Sequence, residues 1–196
     1  MRYEKGRKDA SRQRIIEVAA KRFRRDGIAA SGLASVMQDA GLTNGAFYPH
    51  FESKSVLVRE CVGANLDEQM LRLQAAFAKG GIEAVFARYL SKEHRDNPGN
   101  GCVSAALLPE LARQPEETRS LYAERFDALV RQMASSLPSH VKDKEATALS
   151  VYATLIGALQ LARAVQGTKL SDRILSSAAK AASKLIAEPN RPKRLQ

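Results

Sequence analysis

The sequence predicts an all-α fold of about nine helices, with an N-terminal domain of three helices that contains a helix-turn-helix, and a C-terminal helical domain. Apolar residues recur at intervals of three and four along most of the chain. Glycines and prolines punctuate this pattern. No segment alternates apolar and polar residues for long enough to indicate a sheet. We therefore predict domains at 1–52 and 53–188, followed by a basic tail without fixed structure at 189–196.

The first two predicted helices are bounded by glycines. Gly27 ends the first, because glycine readily adopts the left-handed conformation found beyond helix C-termini. Ser31 or Gly32 opens the second helix, and Gly41 provides the turn after it. The apolar residues that face inward from these two helices are Ile15, Ala19, Phe23, Leu33, Val36, Met37 and Ala40.

A third, very short helix is predicted over residues 43–51. Thr43 is placed to cap it, and Phe47 and Phe51, four residues apart, share its inner face. The polar residues pointing elsewhere are Asn44, Tyr48 and His50. A short element that buries two phenylalanines and exposes polar side chains suits the major groove of DNA, which admits one helix.

Six further helices are predicted in the second domain. The first is capped by Ser53, carries Lys54 in its first turn and runs to about residue 78, where Gly80 and Gly81 break it. Ser171 is the predicted cap of the last helix. The remaining predicted ranges are 82–93, 102–113, 115–137, 143–166 and 171–187.

The net charge of +10 is concentrated near the N-terminus. Residues 1–59 hold 12 Lys and Arg against 6 Asp and Glu, whereas residues 60–196 hold 19 against 15. A basic N-terminal third indicates a polyanionic partner, most simply nucleic acid. Two cysteines make no disulfide framework, and no run of about 18 apolar residues indicates a membrane span. The expectation is a cytoplasmic protein that does not enter a membrane and has no cofactor or metal.

The N-terminal residues resemble the tetracycline-repressor (TetR) family of bacterial transcription regulators. The resemblance is strongest over residues 12–60 and rests on the pattern Ala40-Gly41-Leu42-Thr43-x-Gly45-x-Phe47-Tyr48-x-His50-Phe51-x-Ser53-Lys54-x-x-Leu57. It implies a homodimer that binds a double-stranded DNA operator and is released when a small-molecule effector enters the C-terminal domain. The physical mechanism would be a population shift toward a conformer whose two DNA-contacting elements no longer match successive grooves.

The resemblance also assigns DNA-binding residues. It implies that Asn44 and Gly45 lie near base edges and that Tyr48, His50 and Lys54 lie towards phosphates. The full predicted set is Ser31, Thr43, Asn44, Gly45, Tyr48, His50 and Lys54. Independently of the resemblance, the basic residues Arg2, Lys5, Arg7, Lys8, Arg12 and Arg14 form an arm that either contacts the DNA backbone or minor groove or is a frayed tail. The second helix departs from the family, which often begins it with two threonines and an arginine, because Ser31, Gly32 and Ala34 stand there.

Aromatic and apolar residues of the second domain predict an effector pocket, with Glu110, Arg119 and Gln160 as candidate polar anchors. Cys102 follows Gly101 at a predicted helix start, where backbone N–H groups stabilise a thiolate, so an electrophile or oxidant is one candidate effector. A small buried apolar residue is the alternative role of Cys102. The candidate pocket residues are Phe77, Phe86, Tyr89, Cys102, Leu107, Tyr122, Phe126 and Leu155, of which most are expected to be core and about a third to line the pocket.

The last two helices predict a dimer interface. Small residues on one face permit close helix approach, and two copies could build a four-helix bundle. Packing within one chain is the alternative. The predicted interface residues are Tyr152, Ala153, Ile156, Gly157, Ile174, Ala178, Ala181 and Leu185.

Two other functions remain compatible with these observations. One is a DNA-binding protein without an effector. The other is a small helical enzyme that uses Cys102 as a nucleophile, which has little support because His50, His94 and His140 are scattered in the sequence and no cluster has metal-ligand spacing. The sequence therefore predicts no catalytic residue and no enzymatic activity.

Overall fold

The computed structural model describes the backbone of residues 2–187 and the side chains of residues 6–187. Over this range the chain is all-helical and contains no strand, which confirms the predicted fold class. The predicted tail at 189–196 and the side chains of Arg2 and Lys5 lie outside the described residues. The helices are α1 (Arg2–Asp26), α2 (Leu33–Asp39), α3 (Lys54–Tyr89), α4 (Lys92–Asp96), α5 (Val103–Leu111), α6 (Glu116–Ser135), α7 (Lys144–Ala164) and α8 (Lys169–Ile186).

The N-terminal domain packs around the residues predicted to face inward. Ile15, Phe23, Val36 and Met37 are almost completely buried between α1 and α2. Gly27 and Gly41 follow these two helices with φ values of 90° and 71°. This is the left-handed conformation that glycine adopts without a Cβ clash, so both predicted helix ends are confirmed.

Helix α3 follows the N-terminal helices and is broken near its end. Gly80 (φ −169°) and Gly81 (φ 65°) have non-helical backbone angles. The break was predicted, but the helix expected over 82–93 is divided differently: α3 resumes and ends at Tyr89, and α4 is a separate short helix capped by Ser91. If α3 is counted as two segments because of this break, residues 2–187 form nine α-helical segments, the number predicted.

The C-terminal domain is built around α7, which packs between α6 and α8 and against α4 and α5. By length and composition, α7 alone among the described helices could cross a membrane, but Val151, Leu155 and Leu159 are fully buried, as expected for a core helix. The cap of α8 differs from the prediction, because Thr168 accepts the N–H of Ser171. Ser171 is itself buried and its hydroxyl donates to the carbonyl of Ala162.

Candidate functional site

The segment 43–51 projects polar side chains from a small apolar base. Phe47 and Phe51 are buried with ring centroids 5.5 Å apart, as the sequence predicts. Tyr48 is 67% exposed, and Thr43, Asn44 and Gly45 are exposed beside it. Four of the predicted DNA-binding residues are therefore brought together on one surface.

The backbone of this segment differs from the predicted two-turn α-helix. Residues Asn44–Ala46 form a single 3-10 turn, and hydrogen-bonded turns follow to Phe51. Pro49 lacks an N–H and cannot continue a helical hydrogen-bond ladder, which accounts for the interruption. Thr43 occupies the N-cap position with extended backbone angles, but its side chain makes no capping hydrogen bond, so the predicted hydroxyl cap is wrong.

The side chains of two other predicted DNA-binding residues make hydrogen bonds within the protein. Ser31 has no exposed surface and its hydroxyl donates to the carbonyl of Gly27 at 2.7 Å, so it is not available to DNA in this conformation. The Lys54 ammonium donates to the carbonyl of Ile28 at 2.6 Å, rather than pairing with the anion expected for a cation at a helix N-terminus. Partial burial lowers the pKa of Lys54, and the Glu110 carboxylate opposes that effect.

His50 and the basic arm lie beside this segment. Partial burial lowers the pKa of His50, and the nearby charges of Lys8 and Arg12 act in the same direction, so its ring is neutral at pH 7. Arg12 forms an ion pair with Glu60, and its guanidinium lies 4.9 Å from the ring centroid of Phe51. These contacts tie α1 to α3 and to the end of the 43–51 segment. The arginine and lysine side chains of the arm that remain exposed are Arg7, Lys8 and Arg14.

A cavity of about 460 Å³ lies in the C-terminal domain. Its buried apolar wall consists of Leu73, Ala76 and Val85 from α3, Leu129 and Met133 from α6, and Leu155 from α7. The lining residues with polar atoms are Gln69, Arg72, Arg88, Tyr89, Ser91, Glu93, His94, Asn97, Asn100, Cys102 and Tyr152. A buried apolar wall next to polar side chains suits a small-molecule site, and the volume is within the usual range of such sites.

The cavity agrees only in part with the predicted pocket. Tyr89, Cys102 and Leu155 line it as expected. Helical periodicity identified the other five as inward-facing, and they pack in or against the hydrophobic core rather than lining this cavity. These residues are Phe77, Phe86, Leu107, Tyr122 and Phe126. The candidate anchors Glu110, Arg119 and Gln160 do not line the cavity either.

His94 fixes the start of α5 beside the cavity. Its Nε2 accepts the backbone N–H of Cys102 at 3.1 Å, so the other ring nitrogen carries the proton and donates to the carbonyl of Tyr89 at 2.7 Å. Burial lowers the pKa of His94 to about 4, and the charges of Arg163, Arg88 and Arg72 contribute to the same shift. The ring is therefore neutral at pH 7.

The two cysteines occupy different environments. Cys102 is 6% exposed, is the N-cap residue of α5 and borders the cavity. Cys61 is buried in α3, its thiol contacts the carbonyl of Ile16 at 3.5 Å, and burial raises the pKa of that thiol. Only Cys102 is placed to meet a small molecule in the cavity.

Three contacts that the sequence did not reveal join the cavity region to the N-terminal domain. The Glu110 carboxylate on α5 accepts the backbone N–H groups of Ile28 (3.2 Å) and Ala29 (2.9 Å). Arg24 of α1 donates to the carbonyl of Gly99, at 2.9 Å from Nε. Close packing of Gly99 on α1 is also evident, because a Cβ at this glycine would lie 3.2 Å from the backbone oxygen of Lys21.

An apolar face of α7 and α8 is exposed. On α7, Leu149 (50% exposed) and Leu161 (61%) are separated by Ala153 and Gly157 at four-residue intervals. On α8 the corresponding exposed or half-buried residues are Leu170, Ile174, Ala181 and Leu185. Tyr152, Ile156 and Ala178 belong to the predicted interface but are buried within the chain, so they are corrected to core residues.

No group of His, Cys, Asp and Glu within residues 6–187 could hold a metal ion.

Comparisons with known proteins agree with the geometry of the N-terminal domain. Residues 15–61 match the family described as bacterial regulatory proteins, tetR family. AcrR of Shigella flexneri, a helix-turn-helix transcriptional regulator, is 37% identical over 70 residues, which are 34% of this chain and 33% of that protein. The uncharacterised regulator YfiR of Bacillus subtilis is 24% identical over 157 residues, 77% of this chain and 75% of the relative.

The fold similarity extends beyond the N-terminal domain. The crystal structure of Escherichia coli NemR in its reduced form superimposes with a TM-score of 0.78 at 18% identity, covering 93% of this chain and all of that chain. At this identity the superposition establishes the fold alone, while the sequence match covers the helix-turn-helix. Together with the exposed polar segment at 43–51, these findings show that residues 15–61 form a DNA-binding region of the TetR-family type, within a chain whose overall fold is that of solved regulators of this family.

Proposed function

We propose that the protein is a homodimeric repressor that leaves a near-palindromic operator when a small molecule occupies the cavity. The observation that carries this proposal is the direct hydrogen bonding between the chain around the cavity and the N-terminal domain. Asn97 and Asn100 line the cavity, and Gly99 between them accepts a hydrogen bond from Arg24 of α1. A ligand that shifts this stretch would shift α1 with it.

DNA reading is assigned to the 43–51 segment. The short exposed side chain of Asn44 suits base edges, since asparagine can bond adenine through two hydrogen bonds. The Tyr48 hydroxyl suits a phosphate, because its ring stands edge-on against Phe47 with 5.4 Å between centroids and is 67% exposed. Gly45 leaves room for close approach of the backbone, and a side chain added there would meet no described atom within 4 Å.

The DNA-reading experiment begins with operators enriched from a random oligonucleotide pool and compares variants by fluorescence anisotropy. We expect Asn44→Ala to lose about 1–3 kcal/mol on the selected operator and little on unrelated DNA. Tyr48→Phe removes a single hydroxyl and should weaken both DNAs by a similar factor. Equal losses on both DNAs for Asn44→Ala would contradict base reading by this residue.

Dimerisation is assigned to the exposed apolar face of α7 and α8. Its small residues, Ala153 and Gly157, permit close helix approach, while the flanking leucines supply buried apolar area. Two-fold symmetry would set the two 43–51 segments about one DNA turn, ~34 Å, apart and require two half-sites. Binding that neutralises about 6–10 phosphates should weaken roughly 10³–10⁵-fold between 50 and 200 mM salt.

The dimer is tested by sedimentation velocity with a matched pair of substitutions. Leu161→Glu puts a charge in the proposed interface and should give monomers with greatly reduced operator affinity. Leu71→Glu changes an equally exposed leucine on α3 (67% exposed) and should leave the dimer intact. A Leu161→Glu protein that remained dimeric would refute this interface.

Release of the operator by a small molecule is tested by a thermal-shift screen, followed by a measurement of operator displacement. A compound that stabilises the protein should also lower operator affinity, with a coupling of about 1–3 kcal/mol. Stabilising compounds that leave operator binding unchanged would instead favour a DNA-binding protein without an effector.

An electrophilic effector is a second candidate, because the Cys102 side chain borders the cavity. Peptide mass spectrometry after timed N-ethylmaleimide treatment should find Cys102 modified faster than Cys61, and modification should release the operator. A Cys102 that reacts no faster than an ordinary thiol would restrict effectors to those that bind without a covalent bond.

A further inference from the structure

The charges around the cavity favour one sign of ligand. Arg72 and Arg88 line it, and both guanidiniums lie close enough to His94 to influence its titration. Two carboxylates lie near these arginines, and only one of them is in an ion pair. Glu68 pairs with Arg72, whereas Glu93 is an exposed lining residue that makes no ion pair with any described side chain. Because Glu68 offsets Arg72, the unpaired charges of the lining are one cation, Arg88, and one carboxylate, Glu93.

A second layer of positive charge lies behind this wall. Arg24 and Arg163 are partly buried and are satisfied by backbone carbonyls rather than by any described carboxylate. Arg163 donates to the carbonyls of His94 and Arg95, and burial lowers its pKa because no partner compensates the lost hydration. Neutral carbonyls leave the net charge of both guanidiniums in place, so their field reaches the cavity through a poorly hydrated interior.

Arg88 is the lining cation with free donors. It is exposed at the end of α3 and makes no hydrogen bond or ion pair with any described residue, whereas Arg72 is already bonded to Glu68 and the carbonyl of Asn100. An arginine without a partner can offer two parallel N–H groups to a carboxylate or sulfonate. The exposure of Arg88 locates it at the opening, while the apolar wall around Met133 and Leu155 is deep.

We propose that the cavity binds an amphipathic organic anion, with its charged group at Arg88 and Arg72 and its apolar part against Leu73, Leu129, Met133, Tyr152 and Leu155. This inference rests on the proposed effector site and specifies its ligand class. The anion satisfies the free donors at the opening, and its apolar body fills a wall that water hydrates poorly. A neutral ligand would gain only the second contribution.

The test uses two fluorescent probes that share one ring system. 1-Anilinonaphthalene-8-sulfonate carries a sulfonate, whereas N-phenyl-1-naphthylamine is the same molecule without it. We expect the sulfonate to bind the unmodified protein about tenfold more tightly, as expected for one charge-assisted hydrogen-bonded contact. The advantage should shrink with added salt, because Arg88 is solvent-exposed.

Three substitutions test which residue gives the sulfonate probe its advantage and whether both probes bind in the cavity. Arg88→Gln should remove most of the advantage of the sulfonate and leave the neutral probe unchanged. Arg119→Gln removes an exposed arginine of α6 that does not line the cavity, so it should change neither probe. Ala76→Phe adds a large side chain to a buried lining position and should weaken both probes, which places them in the cavity.

The probe experiment tests the anion preference separately from the proposed repressor function. Equal affinities of the two probes, with both weakened by Ala76→Phe, would overturn the anion preference and leave a small-molecule site. Failure of both probes to bind, or binding that ignores Ala76→Phe, would also overturn the anion proposal. The operator-displacement screen judges the repressor proposal separately, because it does not depend on either probe.

Discussion

Substitution of Glu110 is expected to loosen the contact between the two domains. Glu110 is half-buried on α5, and its two carboxylate oxygens accept the backbone N–H groups of Ile28 and Ala29, just after α1. Hydrogen bonds to a charged group contribute about 1.5–3 kcal/mol each when buried, and partial exposure reduces that contribution. Glu110→Ala should therefore lower the free energy of unfolding by about 2 kcal/mol.

For a chain of this size that loss corresponds to a fall in Tm of about 4–8 °C. Glu110→Gln keeps one acceptor oxygen and should lose less. Glu124→Ala is the matched control, because Glu124 is exposed on α6 and pairs with no described side chain, so its loss should remain within about 0.5 kcal/mol.

Urea unfolding followed by circular dichroism, at one fixed protein concentration, measures the change in stability. Hydrogen exchange measures the contact itself, since the amide protons of Ile28 and Ala29 should exchange faster in Glu110→Ala. A loss equal to that of the Glu124 control, or unchanged exchange at both amides, would refute the assignment of Glu110 as an interdomain bond.

Two further predictions concern single buried side chains. The pKa of His94 is about 4 in the folded chain against an ordinary 6.5, so between these values the unfolded chain binds a proton that the folded chain does not. Stability should therefore fall as the pH is lowered from 6.5 to 4, by up to about 3 kcal/mol from this residue. His94→Gln should show a shallower fall in urea titrations, and parallel pH profiles would contradict the shift. Phe47 is completely buried beneath the 43–51 segment, so Phe47→Ala should cost about 3–5 kcal/mol of stability by cavity formation. Chemical denaturation checks this, and a loss below about 1 kcal/mol would be inconsistent with a packed site.

Local sequence signals predicted the helix ends and the buried face of the N-terminal region. Gly27 and Gly41 end their helices as predicted, because the requirement for a left-handed residue depends on the backbone alone. Phe47 and Phe51 are buried as their spacing indicates. The same reasoning overestimated the helix at 43–51, where Pro49 removes a hydrogen-bond donor and leaves a 3-10 turn.

Site residues were harder to predict where several elements meet. Periodicity identifies which side of a helix faces inward, but it does not distinguish packing against a neighbour from facing a void. Phe86 and Phe126 are therefore core residues, while the less distinctive Arg88 and His94 line the cavity. Ser31 was predicted on the DNA-contacting surface, but its hydroxyl satisfies the carbonyl of Gly27 instead.

By itself, the sequence determined the all-helical class, the helix-turn-helix and the basic N-terminal third, because these follow from residue spacing, glycine positions and charge. Only the tertiary structure decided which side chains surround the cavity and how that region is bonded to α1. Those contacts join residues far apart in the chain, such as Glu110 to Ala29 and Arg24 to Gly99. Their existence depends on the relative placement of whole helices, which no local pattern of residues specifies.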